Sequence, residues 1–327
     1  MRYRHAHHAG NFADVHKHVM LLALLGALKR KDKGFLYLET HAGRGAYDLA
    51  GSAGESATGI GRIEAQWGSA AWGTRAEELR HYGERVERVR RERGAPRLYP
   101  GSPLLAAAEL RPQDRAVLIE RLPPEARALE RALSDQAQGR ARPPQGEAVP
   151  FSEALLRPPS GSRAKTTLFD RDGAGPGRSP DPALHITVET GDGFERLRAW
   201  LPPRERRGLT FIDPPYEESR RDFERVRHAA AEALRRFHTG VVAIWYPIKD
   251  ERDTAAWQAA LAGELDCELL AAELSLYPRD SRVALNGSGM LILNPPYPLA
   301  QRMQIWLPQL HACLDLGHGG GASVRIL

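Results

Sequence analysis

The chain has 327 residues, of which 42% are apolar, and its 46 basic and 41 acidic residues give a formal net charge of +5. This composition indicates a globular protein with a sizeable core, in one large domain or two ordinary ones. The two cysteines, Cys267 and Cys313, provide neither a disulfide framework nor a metal-ligand spacing. The longest apolar stretch, residues 19–28, is too short to span a membrane, and the N-terminus lacks the apolar core of a signal peptide, so we expect a cytoplasmic protein.

Helix and strand patterns alternate along most of the chain. Residues 13–30 predict a helix, and an apolar strand that opens residues 34–45 follows it. Further strands are predicted within residues 114–123, 185–197, 208–216, 240–248, 267–278 and 287–297, and helices over 102–110, 124–133, 221–237, 253–265 and 298–314. Strands that alternate with helices indicate a parallel sheet covered on both faces, and the two successive strands near the end indicate an antiparallel hairpin at one edge.

Two stretches interrupt this alternation. Residues 50–98 are polar and helical, and we interpret them as an inserted helical subdomain, whose helix over 75–94 is either a solvated face or an arginine-rich wall that faces nucleic acid. Residues 134–181 are rich in Pro, Gly and Arg, which favours a surface insertion, with room for a short helix or hairpin. The main domain is then formed by residues 1–49 and 99–327.

Polar residues follow the predicted strands at the edge where open α/β sheets bind ligands. They are Glu39, His41, Gly43 and Gly45 after the first strand, Glu120 after the second, Asp192 and Gly193 after the third, and Asp213 after the fourth. An acid at the position of Glu120 can hold ribose hydroxyls, although it lies 75 residues after Gly45, a spacing that becomes normal once the helical insertion is removed. A shortened glycine turn with three acids favours S-adenosylmethionine over NAD, whose pyrophosphate would need a fuller glycine motif.

The sequence Asp213-Pro-Pro-Tyr ends the fourth strand and predicts methyl transfer to an exocyclic amine. The lone pair of such an amine is delocalised into the base, and two oxygen acceptors would favour a pyramidal nitrogen. Asp213 supplies one acceptor, and the carbonyl of Pro214 supplies the other, because proline has no N–H to donate. Tyr216 can stack on a base extruded from its helix.

A second copy of the motif, Asn294-Pro-Pro-Tyr, follows the last strand. The amide oxygen of Asn294 could also accept a hydrogen bond. We favour Asp213 as the catalytic acceptor, because its strand adjoins the cofactor half of the sheet. At the hairpin edge, a proline pair is more simply explained as the end of a strand.

The N-terminal segment holds five of the twelve histidines, so metal binding is an alternative there. His16 and His18 are two residues apart and face different sides of a helix, and no paired ligand spacing accompanies them. We therefore expect no metal. Polar residues of this kind before a core helix favour the mouth of a substrate or cofactor site, although a disordered terminus would explain the first few residues.

Six blocks of the chain together resemble a known family. The blocks, in order, are YRHAHHAGNFADVHKH, FLYLETHAGRGAYDL, YPGSPLL, GLTFIDPPYE, WYPI and SGMLILNPPY. They are similar to the ribosomal RNA large subunit methyltransferase J family from Tyr3 to about residue 315, with a departure at 134–181. The resemblance implies an α/β, class I S-adenosylmethionine-dependent methyltransferase fold (Rossmann-like) with a mostly parallel seven-stranded sheet, an antiparallel edge hairpin and a small inserted helical subdomain.

The resemblance also implies roles for individual residues. The positions that match the family's cofactor-binding residues are His18, His41, Gly43, Ser102, Glu120, Asp192, Gly193 and Asp213. The catalytic set is Asp213, Pro214 and Tyr216. Polar positions near the family's active site, which we assign to the substrate together with Tyr216, are Tyr3, His5 and Lys17.

The implied reaction is methyl transfer from S-adenosylmethionine to N6 of adenine 2030 in 23S ribosomal RNA. We expect a monomer that acts on free or partly assembled RNA, since the base must be unpaired and extruded. An excess of Arg over Lys suits phosphate and base edges, although a GC-rich genome would give the same excess. The alternatives are a DNA adenine-N6 or guanine-N2 methyltransferase and a non-catalytic nucleic-acid-binding module.

Overall fold

The computed structural model describes residues 9–49, 55–138, 165–168, 184–217, 219–278, 281, 283 and 285–327. Its strands, in chain order, are β1 (Leu36–Glu39), β2 (Ala46–Asp48), β3 (Leu98–Pro100), β4 (Arg115–Glu120), β5 (Lys165–Leu168), β6 (His185–Thr190), β7 (Gly208–Ile212), β8 (Val241–Ile248), β9 (Leu269–Ser275), β10 (Gly287–Leu293) and β11 (Gly321–Ile326). The helices are α1 (Phe12–Lys29), α2 (Ile60–Glu64), α3 (Ala70–Gly73), α4 (Glu77–Glu92), α5 (Ser102–Ala107), α6 (Pro123–Gln138), α7 (Gly193–Trp200), α8 (Ser219–Arg236), α9 (Glu251–Glu264) and α10 (Leu299–Leu314). Within these residues, none of the helices combines the length and the apolar character that a membrane crossing requires.

Nine strands form one sheet in the order β11-β9-β10-β8-β7-β1-β4-β6-β5. The five central strands, β8 to β6, pair in parallel, whereas β10 is antiparallel to both β8 and β9. The seven predicted strands therefore occupy the middle of the sheet, and the predicted hairpin is formed by β9 and β10. Strands β1, β4, β7 and β8 are buried along nearly their whole length, because helices cover both faces.

Two further strands extend the sheet beyond the prediction. At one edge β5, from the segment predicted as a surface insertion, pairs antiparallel with β6, and at the other edge β11 pairs antiparallel with β9. The side chains of β11 are half-buried or exposed, so its sequence lacks the apolar signal that marks the inner strands. Helix α6 also continues five residues past its predicted end, to Gln138.

The helices form two layers, one on each face of the sheet. Helices α1, α4, α5, α6 and α10 share one core cluster with the side chains of Tyr37, Leu118 and Phe211. Helices α7, α8 and α9 pack on the opposite face against Leu38, Ile119 and Ile212. Alternate residues of each inner strand therefore point into different cores, as the period of a strand requires.

Helix α1 is the most deeply buried helix of the first layer. Asn11 caps it, since the side-chain oxygen of Asn11 accepts a hydrogen bond from the backbone N–H of Asp14 at 3.0 Å. Fourteen of its eighteen residues are buried, including Asp14, His16, Lys17 and His18. Because α1 is buried and carries polar residues near its N-terminus, those polar side chains need hydrogen-bond or ion-pair partners.

The described part of the predicted helical insertion lies between β2 and β3, which pair antiparallel and bring its two ends together. It contains α2, α3 and α4. The side chains of Leu79, Tyr82, Val86 and Val89 from α4 belong to the same core cluster as α1. The insertion therefore shares the main core. That residues 50–98 form a separate helical subdomain stays a proposal. Residues 50–54 and most of 134–181 lie outside the described residues.

One glycine allows two of the strand ends to lie in close contact. Gly193, the first residue of α7, lies so close to the chain after β1 that a Cβ added to it would stand 1.9 Å from the carbonyl oxygen of Thr40. That atom belongs to the backbone and cannot rotate away. Only glycine fits this contact without displacement of the turn between β6 and α7.

We predict that Gly193→Ala lowers the free energy of unfolding by roughly 1–3 kcal/mol, the usual cost of forcing extra volume into a packed site. The matched control is Gly26→Ala in α1, where an added Cβ meets no atom within 4 Å. The control should be neutral or stabilising, because alanine favours the helix over glycine. Urea unfolding of both variants measures the difference, and equal effects would refute the close contact.

Candidate active site

The predicted site residues come together at the carboxyl edge of the parallel strands. Backbone hydrogen bonds join the strand ends there: the N–H of Thr40 donates to Phe211 O at 3.0 Å, and the N–H of Ala42 donates to Ile119 O at 2.9 Å. The N–H of Gly191 donates to Glu120 O at 3.0 Å. The chain segments after β7, β1, β4 and β6 are thus fixed side by side, and their acidic side chains share one edge of the sheet.

A buried lysine holds Asp213. The Nζ atom of Lys17 lies 2.6 Å from Oδ2 of Asp213 and 2.8 Å from Oδ1 of Asp14. Asp14 is fixed in turn, because its Oδ2 accepts the backbone N–H of Gly10 at 3.0 Å. Lys17 and Asp213 are only 3% and 9% exposed. The structure therefore brings Lys17, assigned to the substrate from sequence, into direct contact with the predicted catalytic carboxylate.

The two carboxylates keep Lys17 charged. Burial alone would lower the pKa of its ammonium group, but the charges of Asp14 and Asp213 and their hydrogen bonds raise that pKa well above its usual value. Asp213 thus stands in a fixed orientation beside a permanent cation.

Glu39, at the end of β1, is fully buried next to this cluster. Ser102 donates its hydroxyl to Oε1 of Glu39 at 2.5 Å, and Tyr37 donates to Oε2 at 2.9 Å. Burial raises the pKa of Glu39 to about 8, and the negative charge of Asp213 acts in the same direction. Ser102, predicted to contact the cofactor, is in the structure a hydrogen-bond partner of Glu39.

Glu120 accepts a hydrogen bond from the turn that follows β1. Its Oε2 accepts the N–H of Gly43, and its Oε1 accepts the N–H of Leu122, both at 2.8 Å. Burial raises its pKa. Backbone N–H groups after β1 and after β4 therefore hold the carboxylate of Glu120 in place.

Asp192 caps α7 and pairs with an arginine that sequence reasoning did not identify. Its Oδ1 accepts the N–H of Phe194 at 3.0 Å, and its Oδ2 lies 2.7 Å from the guanidinium of Arg225. The guanidinium carbon of Arg225 lies 4.6 Å from the ring centroid of Phe194, and the ring of His41 meets the same phenyl ring edge-on at 4.8 Å. Burial lowers the pKa of His41 to about 4, so its imidazole is neutral at physiological pH.

The structure changes the interpretation of Tyr216. Its residue is 2% exposed, its hydroxyl donates to the backbone carbonyl of Trp245 at 2.7 Å, and its ring packs on Phe223 with centroids 4.8 Å apart. A ring enclosed in this way does not present a face to an incoming base, so stacking by Tyr216 is not supported in this conformation. Its φ of 46° shows that Tyr216 shapes the turn after the two prolines. Pro214 is buried and Pro215 is exposed.

The predicted site residues that remain are His18, Tyr3 and His5. His18 lies in a buried aromatic cluster, where its Nδ1 is 2.9 Å from the hydroxyl of Tyr99 and its ring stacks on that tyrosine. Its contact with a cofactor stays a prediction. Tyr3 and His5 lie outside the described residues.

The second motif lies near the amino ends of the parallel strands, whereas Asp213 lies at their carboxyl ends. Strand β10 is antiparallel to β8, so its last residue, Leu293, pairs with Val242 near the start of β8. The side-chain amide of Asn294 donates to the carbonyls of His238 and Gly240, at 2.7 and 2.9 Å. Asn294 therefore ties the end of β10 to the turn before β8, which agrees with its interpretation as a strand end.

No group of three or more His, Cys, Asp or Glu side chains is arranged to hold a metal ion among the residues that the structure describes. Nε1 of Trp306 is a buried ring nitrogen without a hydrogen-bond partner among the described residues, and so is Nε2 of the neighbouring His16. Its Nδ1 lies 3.0 Å from the hydroxyl of Ser288, and burial lowers the pKa of the ring to about 3.

Comparison with known proteins decides the family. The family model described as "Ribosomal RNA large subunit methyltransferase D, RlmJ" matches residues 32–171 and 178–326. The chain belongs to the RlmJ family. The family and the strand order together confirm the predicted class I methyltransferase fold and the resemblance read from the six sequence blocks.

Similar proteins cover nearly the whole chain. "Ribosomal RNA large subunit methyltransferase J" of Escherichia coli (strain K12) is 36% identical over 328 residues, which cover 99% of this chain and 98% of the relative. The protein of the same name from Haemophilus influenzae is 33% identical over 95% of this chain and 92% of the relative. The crystal structure of protein LPL1258 from Legionella pneumophila is 29% identical, covers 98% of both chains and superposes with a TM-score of 0.73.

Sequence reasoning identified the acids at the strand ends, but it missed the residues that support them. Asp14 was detectable in principle, since it lies three residues before Lys17 on the same helix and such residues are neighbours. Arg225, Trp245 and Ser288 are distant in sequence from their partners. No local spacing could have indicated those contacts.

We predict that Glu39→Gln changes how stability depends on pH. With a folded pKa of about 8 and an ordinary value of 4.5, Glu39 stabilises the fold in its neutral form. This contribution is complete below about pH 4.5 and is lost as the pH rises to about 8, because the unfolded chain releases its proton first. Urea unfolding of both proteins at pH 5 and pH 8 should show the Gln variant gaining stability relative to wild type. A difference that does not change with pH would contradict this assignment.

A further prediction concerns Asn294. We expect Asn294→Ala to lower the free energy of unfolding by about 1 kcal/mol, since the half-buried carbonyl of Gly240 and the exposed carbonyl of His238 lose a donor. Methyl transfer by the folded enzyme should keep its wild-type rate, because the residue lies at the opposite edge of the sheet from Asp213. Thermal unfolding and a transfer assay test the two parts, and a stable but inactive variant would assign catalysis to the second motif.

Proposed function

We propose that the protein transfers a methyl group from S-adenosylmethionine to the N6 amine of an adenine in 23S ribosomal RNA, at the family's adenine 2030 site. The observation that carries this proposal is the position of Asp213 at the tip of a central parallel strand, with Oδ2 held 2.6 Å from Nζ of Lys17. The family and the names of the curated relatives support large-subunit ribosomal RNA as the substrate. We expect a cytoplasmic monomer that acts on free or partly assembled RNA.

The strand-end residues fit S-adenosylmethionine. Glu120 is a buried carboxylate at the end of β4, held by backbone N–H groups, where an acid can accept hydrogen bonds from the hydroxyls of a ribose. His41, Gly43, Asp192 and Gly193 lie on the adjoining turns and would surround the rest of the nucleoside. When bound, S-adenosylmethionine supplies an electrophilic methyl group on a sulfonium ion.

The residues of the chain would prepare the amine. Lys17 occupies Oδ2 of Asp213, so we assign Oδ1 to one N–H of the adenine amine and the carbonyl of Pro214 to the other. Both acceptors are rigid, one through the ion pair and the other through the proline ring. Fixed acceptors favour a pyramidal nitrogen and position its lone pair for attack, which is catalysis by orientation.

A DNA amine is the alternative substrate, since the same pair of acceptors would serve it. The curated relatives favour RNA. Methyl transfer to protein-free 23S RNA fragments, compared with single-stranded DNA of the same sequence, separates the two. Calorimetry with S-adenosylmethionine tests the third alternative, a binding module without catalysis, because such a module would not bind the cofactor.

We predict that Asp213→Asn lowers kcat by at least about 100-fold, the loss typical when one preorganised charge-stabilising group is removed. The variant keeps the shape of the side chain, and S-adenosylmethionine should bind to it as to wild type. Asp266→Asn is the control, because Asp266 is exposed and precedes β9 at the opposite edge of the sheet. Single-turnover transfer and calorimetry measure the two quantities. An Asp213→Asn enzyme with the wild-type rate would refute the catalytic role.

A further inference from the structure

Arg225 lies on the helix that follows the motif Asp213-Pro-Pro-Tyr. This helix, α8, begins at Ser219, three residues after Tyr216. Phe223 of α8 packs on the ring of Tyr216, and two residues later Arg225 reaches the N-terminus of α7. Residues two apart on a helix point in different directions, so α8 contacts the motif with one side and the turn between β6 and α7 with another.

Arg225 makes two contacts with the first turn of α7. Its guanidinium lies 2.7 Å from Oδ2 of Asp192, and its guanidinium carbon lies 4.6 Å from the ring centroid of Phe194. A planar guanidinium can pair with a carboxylate and cover an aromatic ring at the same time. The ring of His41 meets the same phenyl ring edge-on at 4.8 Å. Arg225 therefore connects α8 to side chains from two of the turns that we assign to the cofactor.

The backbone of this turn is fixed by other contacts. Gly193 lies against the carbonyl oxygen of Thr40, and Oδ1 of Asp192 accepts the N–H of Phe194 at 3.0 Å. Neither contact involves Arg225, so both would survive its replacement. The contribution of Arg225 is the orientation of side chains, namely the second carboxylate oxygen of Asp192 and the ring of Phe194.

The positive charge of Arg225 also acts on both cofactor turns. Burial would raise the pKa of Asp192, but the hydrogen bond and the charge of Arg225 bring it below its usual value. Burial lowers the pKa of His41 to about 4, and the charge of Arg225 acts in the same direction. Asp192 is thus ionised and His41 is neutral at physiological pH.

We propose that Arg225 is a positioning residue of the cofactor site, which holds Asp192 and Phe194 in the arrangement that S-adenosylmethionine needs before the cofactor arrives. This inference rests on the proposed function and deepens it by naming a residue outside the strand-end turns that determines cofactor affinity. A side chain that is ordered in advance does not have to be ordered at the moment of binding, and this improves affinity.

The first test compares Arg225→Met with Arg235→Met. Arg235 is the matched control, because it lies near the other end of α8 and pairs with Glu232. In Arg225→Met the Kd for S-adenosylmethionine should rise by about 5- to 30-fold, the size expected when two side chains must be ordered on binding. The control should bind as wild type does, and kcat at saturating cofactor should be unchanged in both variants.

Calorimetry measures the affinity, and steady-state methyl transfer separates KM for the cofactor from kcat. Urea unfolding of the two variants shows whether they are equally folded, since each loses one exposed or half-buried ion pair. Wild-type affinity in Arg225→Met would overturn the proposal. A lower kcat at saturating cofactor with unchanged affinity would overturn it as well.

The second test separates the two contacts of Arg225. Arg225→Lys keeps a charge for Asp192 but loses the planar face on Phe194, so its cofactor affinity should lie between those of wild type and Arg225→Met. In an Asp192→Asn background, Arg225→Met should cost less affinity than in wild type, because the ion pair is already lost. Equal costs in the two backgrounds would refute positioning through Asp192.

The third test follows hydrogen exchange in the peptide that covers residues 190–200. If Arg225 orders this turn in advance, S-adenosylmethionine should add more protection in Arg225→Met than in wild type. Equal gains would contradict the proposal. Wild type that binds no S-adenosylmethionine in calorimetry would instead refute the proposed function, whereas equal binding by wild type and Arg225→Met would refute only the role of Arg225.

Discussion

The ion pair between Lys17 and Asp213 is the interaction on which the rest of the site depends. It joins the first helix of the chain to the tip of a central strand 196 residues later. Neither group could be buried alone, because an unpaired charge in the protein interior carries a large desolvation cost. Asp14 completes the pair, and its own bond to the N–H of Gly10 fixes the start of α1. The orientation of Asp213 and the entry of the chain into the fold are therefore set by one cluster.

A second constraint is the close approach of the strand ends. Glu120 holds the turn after β1 through the N–H of Gly43, and Gly193 brings the turn after β6 against Thr40. The turns that we assign to the cofactor are thus held against one another. Trp245 and Asp213 project from neighbouring strands toward the same helix.

The helices between β2 and β3 connect this site to the protein surface. Tyr82 of α4 bonds to Tyr99 of β3, which in turn contacts His18 of α1. This buried chain links the insertion to the helix that carries Lys17.

Much of the fold was predictable, because periodic apolar runs are local. The seven inner strands and the helices between them were found from such runs. Among the described residues, the edge strands β5 and β11 and the short pair β2 and β3 were missed. Edge strands contribute few buried side chains, so their sequences lack the apolar signal that marks β7 or β8. The strand-end acids were also found, because a carboxylate that directly follows a buried strand is visible in sequence.

What each of these acids bonds to was not predictable. The sequence by itself determined that Asp213 follows a buried strand and is stiffened by two prolines, since these are properties of adjacent residues. Only the tertiary structure decided that Lys17 holds Asp213, that Arg225 holds Asp192, and that the ring of Tyr216 is enclosed by Phe223 and Trp245. The reason is that strand register, sheet order and helix packing set such contacts between residues far apart in the chain, and local residue patterns do not encode those distances.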